Sequence, residues 1–140
     1  MAAPCCLAFW LIVASTLAVG TLRAQIQWIL RTPANSPPPR SGAGIAHDWL
    51  RGRTVLFGGG LARSGASFND TWEWDGTTWT RMFPATSPRP QFVVSMAYDL
   101  ARGKTVFLES GGNSDTWEWD GTNWTQRVTA VSPGIRSGSA

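Results

Sequence analysis

Asp70-Thr71-Trp72-Glu73-Trp74-Asp75-Gly76-Thr77-Thr78-Trp79-Thr80 returns 45 residues later as Asp115-Thr116-Trp117-Glu118-Trp119-Asp120-Gly121-Thr122-Asn123-Trp124-Thr125. Each copy places two short runs rich in Thr and Trp on either side of Asp-Gly, which is among the strongest short hairpin signals. A type I′ turn needs φ > 0 at both central residues, and Asp and Gly tolerate this best. The stretch therefore predicts a strand pair, made twice.

A second match lies upstream of each copy. Ala46-His47-Asp48-Trp49-Leu50-Arg51-Gly52-Arg53-Thr54-Val55 corresponds to Ala97-Tyr98-Asp99-Leu100-Ala101-Arg102-Gly103-Lys104-Thr105-Val106 at an offset of 51. The six-residue change of register between the two matches belongs in a loop, where length varies freely. Each unit then reads as four strands: Ala43 to His47, Thr54 to Phe57, Thr71 to Trp74 and Thr78 to Met82, and again Val93 to Tyr98, Thr105 to Leu108, Thr116 to Trp119 and Asn123 to Val128. Turn signals stand at Arg51-Gly52 and Arg102-Gly103, and glycines follow the second strand as Gly58-Gly59-Gly60 and Gly111-Gly112.

Four strands recurring at a period near 50 is the signature of propeller blades. In particular, the diglycine Gly58-Gly59 after strand two, and the spacing of Trp72 to Trp79 and Trp117 to Trp124, resemble the Kelch-repeat family, with tryptophan where that family more often has tyrosine. Gly111-Gly112 stand out of register with Gly58-Gly59, because strand two of the second unit runs on through Glu109-Ser110; a bulge or a degenerate edge accounts for this. Trp74-Asp75 also suggests WD repeats, but a Gly-His start and a unit of about 40 residues are lacking. The resemblance implies an all-β fold of four-stranded antiparallel Kelch-like blades: 42–83 is the first, 84–128 the second and 129–140 the start of a further one. Residues 25–41 form a stray outer strand and linker, with Trp28 matching Trp79 and Trp124. Propellers commonly have about 4 to 8 blades, so two with a stray strand imply an incomplete propeller, a fragment of a longer one. Its open edges invite self-association.

Residues 1–24 differ from the rest. Leu7 to Val19 is an almost unbroken apolar run, followed by small residues and Arg23. That is a secretory signal pattern, too short for the about 20 residues that a membrane span needs. The chain is expected to be secreted, periplasmic or displayed at the cell surface, with no permanent span after cleavage. Both cysteines, Cys5 and Cys6, lie in this leader. The remainder can form no disulfide, thiolate metal site or cysteine nucleophile. Without Arg23, 11 basic residues (12 minus 1) face 9 acidic ones, which is no nucleic-acid footprint.

Eight of the nine tryptophans lie beyond the leader. Trp72 and Trp74 share a strand face and are expected to pack between blades, a carbohydrate-stacking platform being the other reading. The Gly58 to Gly60 cluster is followed by neither a helix nor Gly-Lys-Ser/Thr, so it is not a P-loop; Gly58, Gly59, Gly111 and Gly112 are assigned to backbone turns. His47 alternates with Tyr98 at one repeat position and reads as packing beside the Asp48 turn. Some Kelch-like propellers carry a copper-radical oxidase site of tyrosine, cysteine and histidine, for which this chain lacks the cysteine. Glu73 with Asp75, and Glu118 with Asp120, recur in both units and therefore serve the repeat; sialidase-type aspartate boxes separate Asp from Gly, whereas here they are adjacent. Asn69-Asp-Thr71 and Asn123-Trp-Thr125 match the N-glycosylation pattern but overlap the repeat. No catalytic residue, metal site or cofactor is expected.

In an antiparallel blade, alternate connections emerge at one end. Gly58 to Asn69, Arg81 to Pro90 and Gly111 to Ser114 therefore share a face, and Arg63, Phe68, Phe83 and Arg89 are the candidate ligand contacts. The expected function is an exported module that binds a protein or a glycan. The alternative is a non-catalytic part of a secreted carbohydrate-active or oxidase-type enzyme.

Overall fold

The computed structural model of the chain describes residues 27–92, 95–109 and 115–128. The chain divides into two units, Met1–Leu30 and Arg31–Ala140. In the first, only residues 27–30 are described, and they carry no strand. The leader, the start of the stray strand at 25–26, Gly111-Gly112 and the expected further unit at 129–140 lie outside the described residues.

The second unit is all-β, with ten strands and no helix among its described residues: β1 Gly44–Asp48, β2 Arg53–Phe57, β3 Gly60–Leu61, β4 Ala66–Ser67, β5 Thr71–Trp74, β6 Trp79–Met82, β7 Ser95–Asp99, β8 Lys104–Leu108, β9 Thr116–Trp119 and β10 Trp124–Arg127. They form two four-stranded antiparallel sheets. Sheet I has the order β1-β2-β5-β6, sheet II the order β7-β8-β9-β10, and β3 with β4 makes a small hairpin of its own. The eight long strands lie within two residues of the expected ones. The β3–β4 hairpin, inserted between the second and third strands of sheet I, was not expected.

The Asp-Gly hairpins form, but not as two-residue type I′ turns. Trp74 pairs with Trp79 and Trp119 with Trp124, which leaves four-residue loops. Asp75 accepts from the backbone N–H groups of Thr77 and Thr78, both at 2.8 Å, and Asp120 does the same for Thr122 and Asn123. The aspartate side chain replaces a backbone acceptor and stabilises the wider loop.

The sheets pack face to face, and alternation along the strands decides what meets. On β5, Thr71 and Glu73 point toward sheet II, whose Trp124 Nε1 donates to Thr71 Oγ1 at 2.9 Å and whose Trp119 Nε1 donates to Glu73 Oε1 at 2.9 Å. Arg51 also donates to both Glu73 oxygens at 2.7 Å. A buried carboxylate needs such partners. Around these bonds sits the core of Val55, Phe57, Phe107, Trp117, Trp119 and Trp124, with Met82 and Met96 against it. The Phe57 ring lies 5.3 Å from Phe107 and 5.1 Å from Trp124, within the range of favourable tilted aromatic pairs.

Trp117 and Trp119 thus pack between the two sheets, the place expected of Trp72 and Trp74. Trp72 and Trp74 do not. They alternate with Thr71 and Glu73, so they lie on the face of sheet I turned away from sheet II, where they are half-buried.

Candidate functional site

The β2–β5 and β6–β7 connections and the segment leading into β1 gather at one end of sheet I. There they bond to one another rather than only to water. Ser41 and Gly60 exchange two backbone hydrogen bonds of 2.9 Å. Gly59 N–H donates to the Gln91 carbonyl at 2.8 Å, Gln91 N–H to the Phe68 carbonyl at 3.1 Å, and Phe68 N–H to the Gly59 carbonyl at 2.7 Å. Such a closed set holds three chain segments as one platform.

Gly58 and Gly59 both have positive φ, 67° and 81°. A Cβ on Gly59 would meet Ala43 N at 2.8 Å and Ser41 O at 2.9 Å. Closeness of this kind gives the glycines a backbone role.

Arg40 is the clamp of the platform. It donates to the two Asp70 oxygens at 2.5 and 2.8 Å and to the Gly58 carbonyl at 2.8 Å, and its guanidinium lies 4.3 Å from the Phe68 ring centroid, a cation–π distance. Burial raises the Asp70 pKa, but the Arg40 guanidinium and the Trp72 indole outweigh it and hold the carboxyl below its ordinary value. Sheet II joins through buried Glu109, which accepts from Gln91 Nε2 at 2.9 Å and pairs with Arg89.

The four candidate contacts therefore part ways. Phe68 sits half-buried beneath Arg40, and the Arg89 guanidinium is engaged with Glu109. Arg63 lies exposed in the β3–β4 turn. Phe83, 82% exposed, stacks with Arg81 at 5.3 Å and borders an open hollow of about 190 Å³ with Asn69, Asp70 and Ser87. Of the four, only Phe83 lines this hollow. Arg81 was missed, although two residues before Phe83 on a strand end places it on the same side. Arg40, Gln91 and Glu109 were missed without any signal, since their partners are 18 or more residues away.

His47 Nδ1 lies 3.0 Å from Thr54 Oγ1, and its ring stands edge-on to Trp49 at 4.6 Å. Among the described residues no three His, Cys, Asp or Glu side chains gather in a way that could hold a metal ion, and no helix is long and apolar enough to cross a membrane.

Neither a scan against protein-family models nor a search of curated proteins finds a match to this chain.

Proposed function

We propose that the chain is an exported module of Kelch-like propeller blades that binds a protein or glycan partner, without turnover, through the loop platform at one end of its sheets. The observation that carries this reading is the hydrogen-bonded platform itself. It orders three connections while leaving Arg63, Arg81 and Phe83 turned to solvent. Ordered loops lose little entropy on binding, and exposed aromatic and arginine side chains are the residues most enriched at interface anchors. The tandem four-stranded meanders and the Trp-to-Trp spacing support the blade assignment, and the apolar leader supports export.

The test is binding by the purified chain to a glycan array and to proteins from the surface of the producing cell, with N-terminal sequencing of the secreted product to locate the leader's end. Phe83→Ala with Arg63→Ala should weaken binding at least about tenfold without altering the fold. Undiminished binding by that double variant, or a natural product retained inside the cell, overturns the reading.

A further inference from the structure

The sheet I–sheet II contact is made by two complementary faces, and each sheet carries its own copy of both. Sheet II offers Trp119 and Trp124, 1% and 2% exposed, to Thr71 and Glu73 of sheet I. By the repeat, Trp74 and Trp79 of sheet I correspond to Trp119 and Trp124, and Thr116 and Glu118 of sheet II correspond to Thr71 and Glu73. Strand alternation places the first set on the outer face of sheet I and the second on the outer face of sheet II. Among the described residues, the Trp74–Trp79 face and the Thr116–Glu118 face carry no second sheet, and the Glu118 carboxylate is already buried between Arg102 and Arg127.

Both are already shaped for the contact. The Trp74 and Trp79 rings are 5.5 Å apart and inclined at 43°. The mated Trp119 and Trp124 rings are 5.4 Å apart and inclined at 42°. On the opposite face, Thr116 and Glu118 line an open cleft of about 560 Å³ together with Arg102, Arg127 and Val128. Glu118 is held by Arg102, as Glu73 is held by the matching Arg51. Glu73 Oε1 accepts from Arg51 and Trp119 at once, so a carboxylate fixed by arginine still has room for an indole N–H. One difference stands out: Arg127, which pairs with Glu118, replaces Met82 of the first unit and narrows the acceptor face on one side.

We propose that the outer face of sheet II takes the Trp74–Trp79 face of a second copy of this chain, in a head-to-tail contact that repeats the sheet I–sheet II packing. The contact runs through sheet faces, not through strand edges. It is heterologous, so it forms a ring where the rotation closes and a filament where it does not.

The head-to-tail geometry gives a specific test by sedimentation velocity on the purified natural chain. The wild type should associate as concentration rises. Trp74→Ser with Trp79→Ser removes one face, and Thr116→Arg fills the other while leaving the Glu118 ion pairs in place. Each variant alone should associate at least about thirtyfold more weakly, as expected for the loss of interface anchors. Mixed one to one, they should form a heterodimer that goes no further, because one intact face of each kind remains. Far-ultraviolet circular dichroism and a cooperative thermal transition check that both variants stay folded. A monomeric wild type, association untouched by both variants, or a mixture that stays monomeric overturns the proposal.

Discussion

Trp119 Nε1 donates to Glu73 Oε1 across the boundary between the two sheets, 46 residues apart in sequence and 2.9 Å apart in space. This bond, with its neighbour from Trp124 to Thr71, makes sheet packing directional: tryptophans from one side, oxygens from the other. Hydrophobic burial alone does not distinguish the two faces in this way.

Trp119→Phe should lower stability by about 1 to 2 kcal/mol, since it deletes a donor to a charged group but leaves Glu73 its Arg51 partner. Trp119→Ala should cost about 3 to 5 kcal/mol through the cavity as well. Urea unfolding monitored by Trp fluorescence measures both, and equal losses for the two variants would deny the hydrogen bond a separate part.

Gly59 and Gly65 both have positive φ, 81° and 68°, yet they should respond differently to alanine. A Cβ at Gly59 meets backbone at 2.8 Å, whereas at Gly65 nothing lies within 4 Å. Gly65→Ala should cost about 1 kcal/mol, the conformational strain alone. Gly59→Ala should cost at least about 2 kcal/mol more because Ser41 and Ala43 must shift, as chemical denaturation midpoints will show.

Phe68→Ala should lower the melting temperature and Phe83→Ala should not. The first ring is half-buried under Arg40 and the second is 82% exposed. Exposed substitutions of this kind usually stay within about 0.5 kcal/mol, so thermal scans separate a structural from a contact residue.

Acid should destabilise the platform. The folded pKa of Asp70 lies below its ordinary value: burial raises it, but Arg40 and Trp72 outweigh the burial. A carboxyl depressed in the folded state contributes stability above its unfolded pKa of about 3.9, and that contribution fades as pH falls through the folded value. Asp70→Asn should thus be less stable than wild type at pH 7, and should lose less on acidification below about pH 4. Parallel stability curves for the two proteins between pH 5 and 2 would contradict this.

Most of the sheet architecture was legible because it is written in local terms. The Thr-Trp-Glu-Trp runs and the Arg-Gly and Asp-Gly turns carry a two-residue period and hairpin punctuation within a few positions, and the eight long strands followed. The turn type was not legible, because Asp75 and Asp120 cap backbone N–H groups with their side chains, a choice that the Asp-Gly pair does not reveal. Nor was the β3–β4 hairpin, whose two-residue strands are too short to show a period.

The candidate site was legible only as a set of loops. That Arg63 and Phe83 face solvent while Phe68 and Arg89 are engaged depends on Arg40 and Glu109, residues remote in sequence that only folding brings near. Trp74 and Trp119 draw the same line most simply. They stand in the same Asp-Thr-Trp-Glu-Trp-Asp-Gly-Thr context, and the sequence alone determined that both sit on third strands facing the same way within their sheets. Only the tertiary structure decided that Trp119 is sealed and Trp74 half-open, because burial depends on what lies opposite a face, and sheet I lies opposite only one of them.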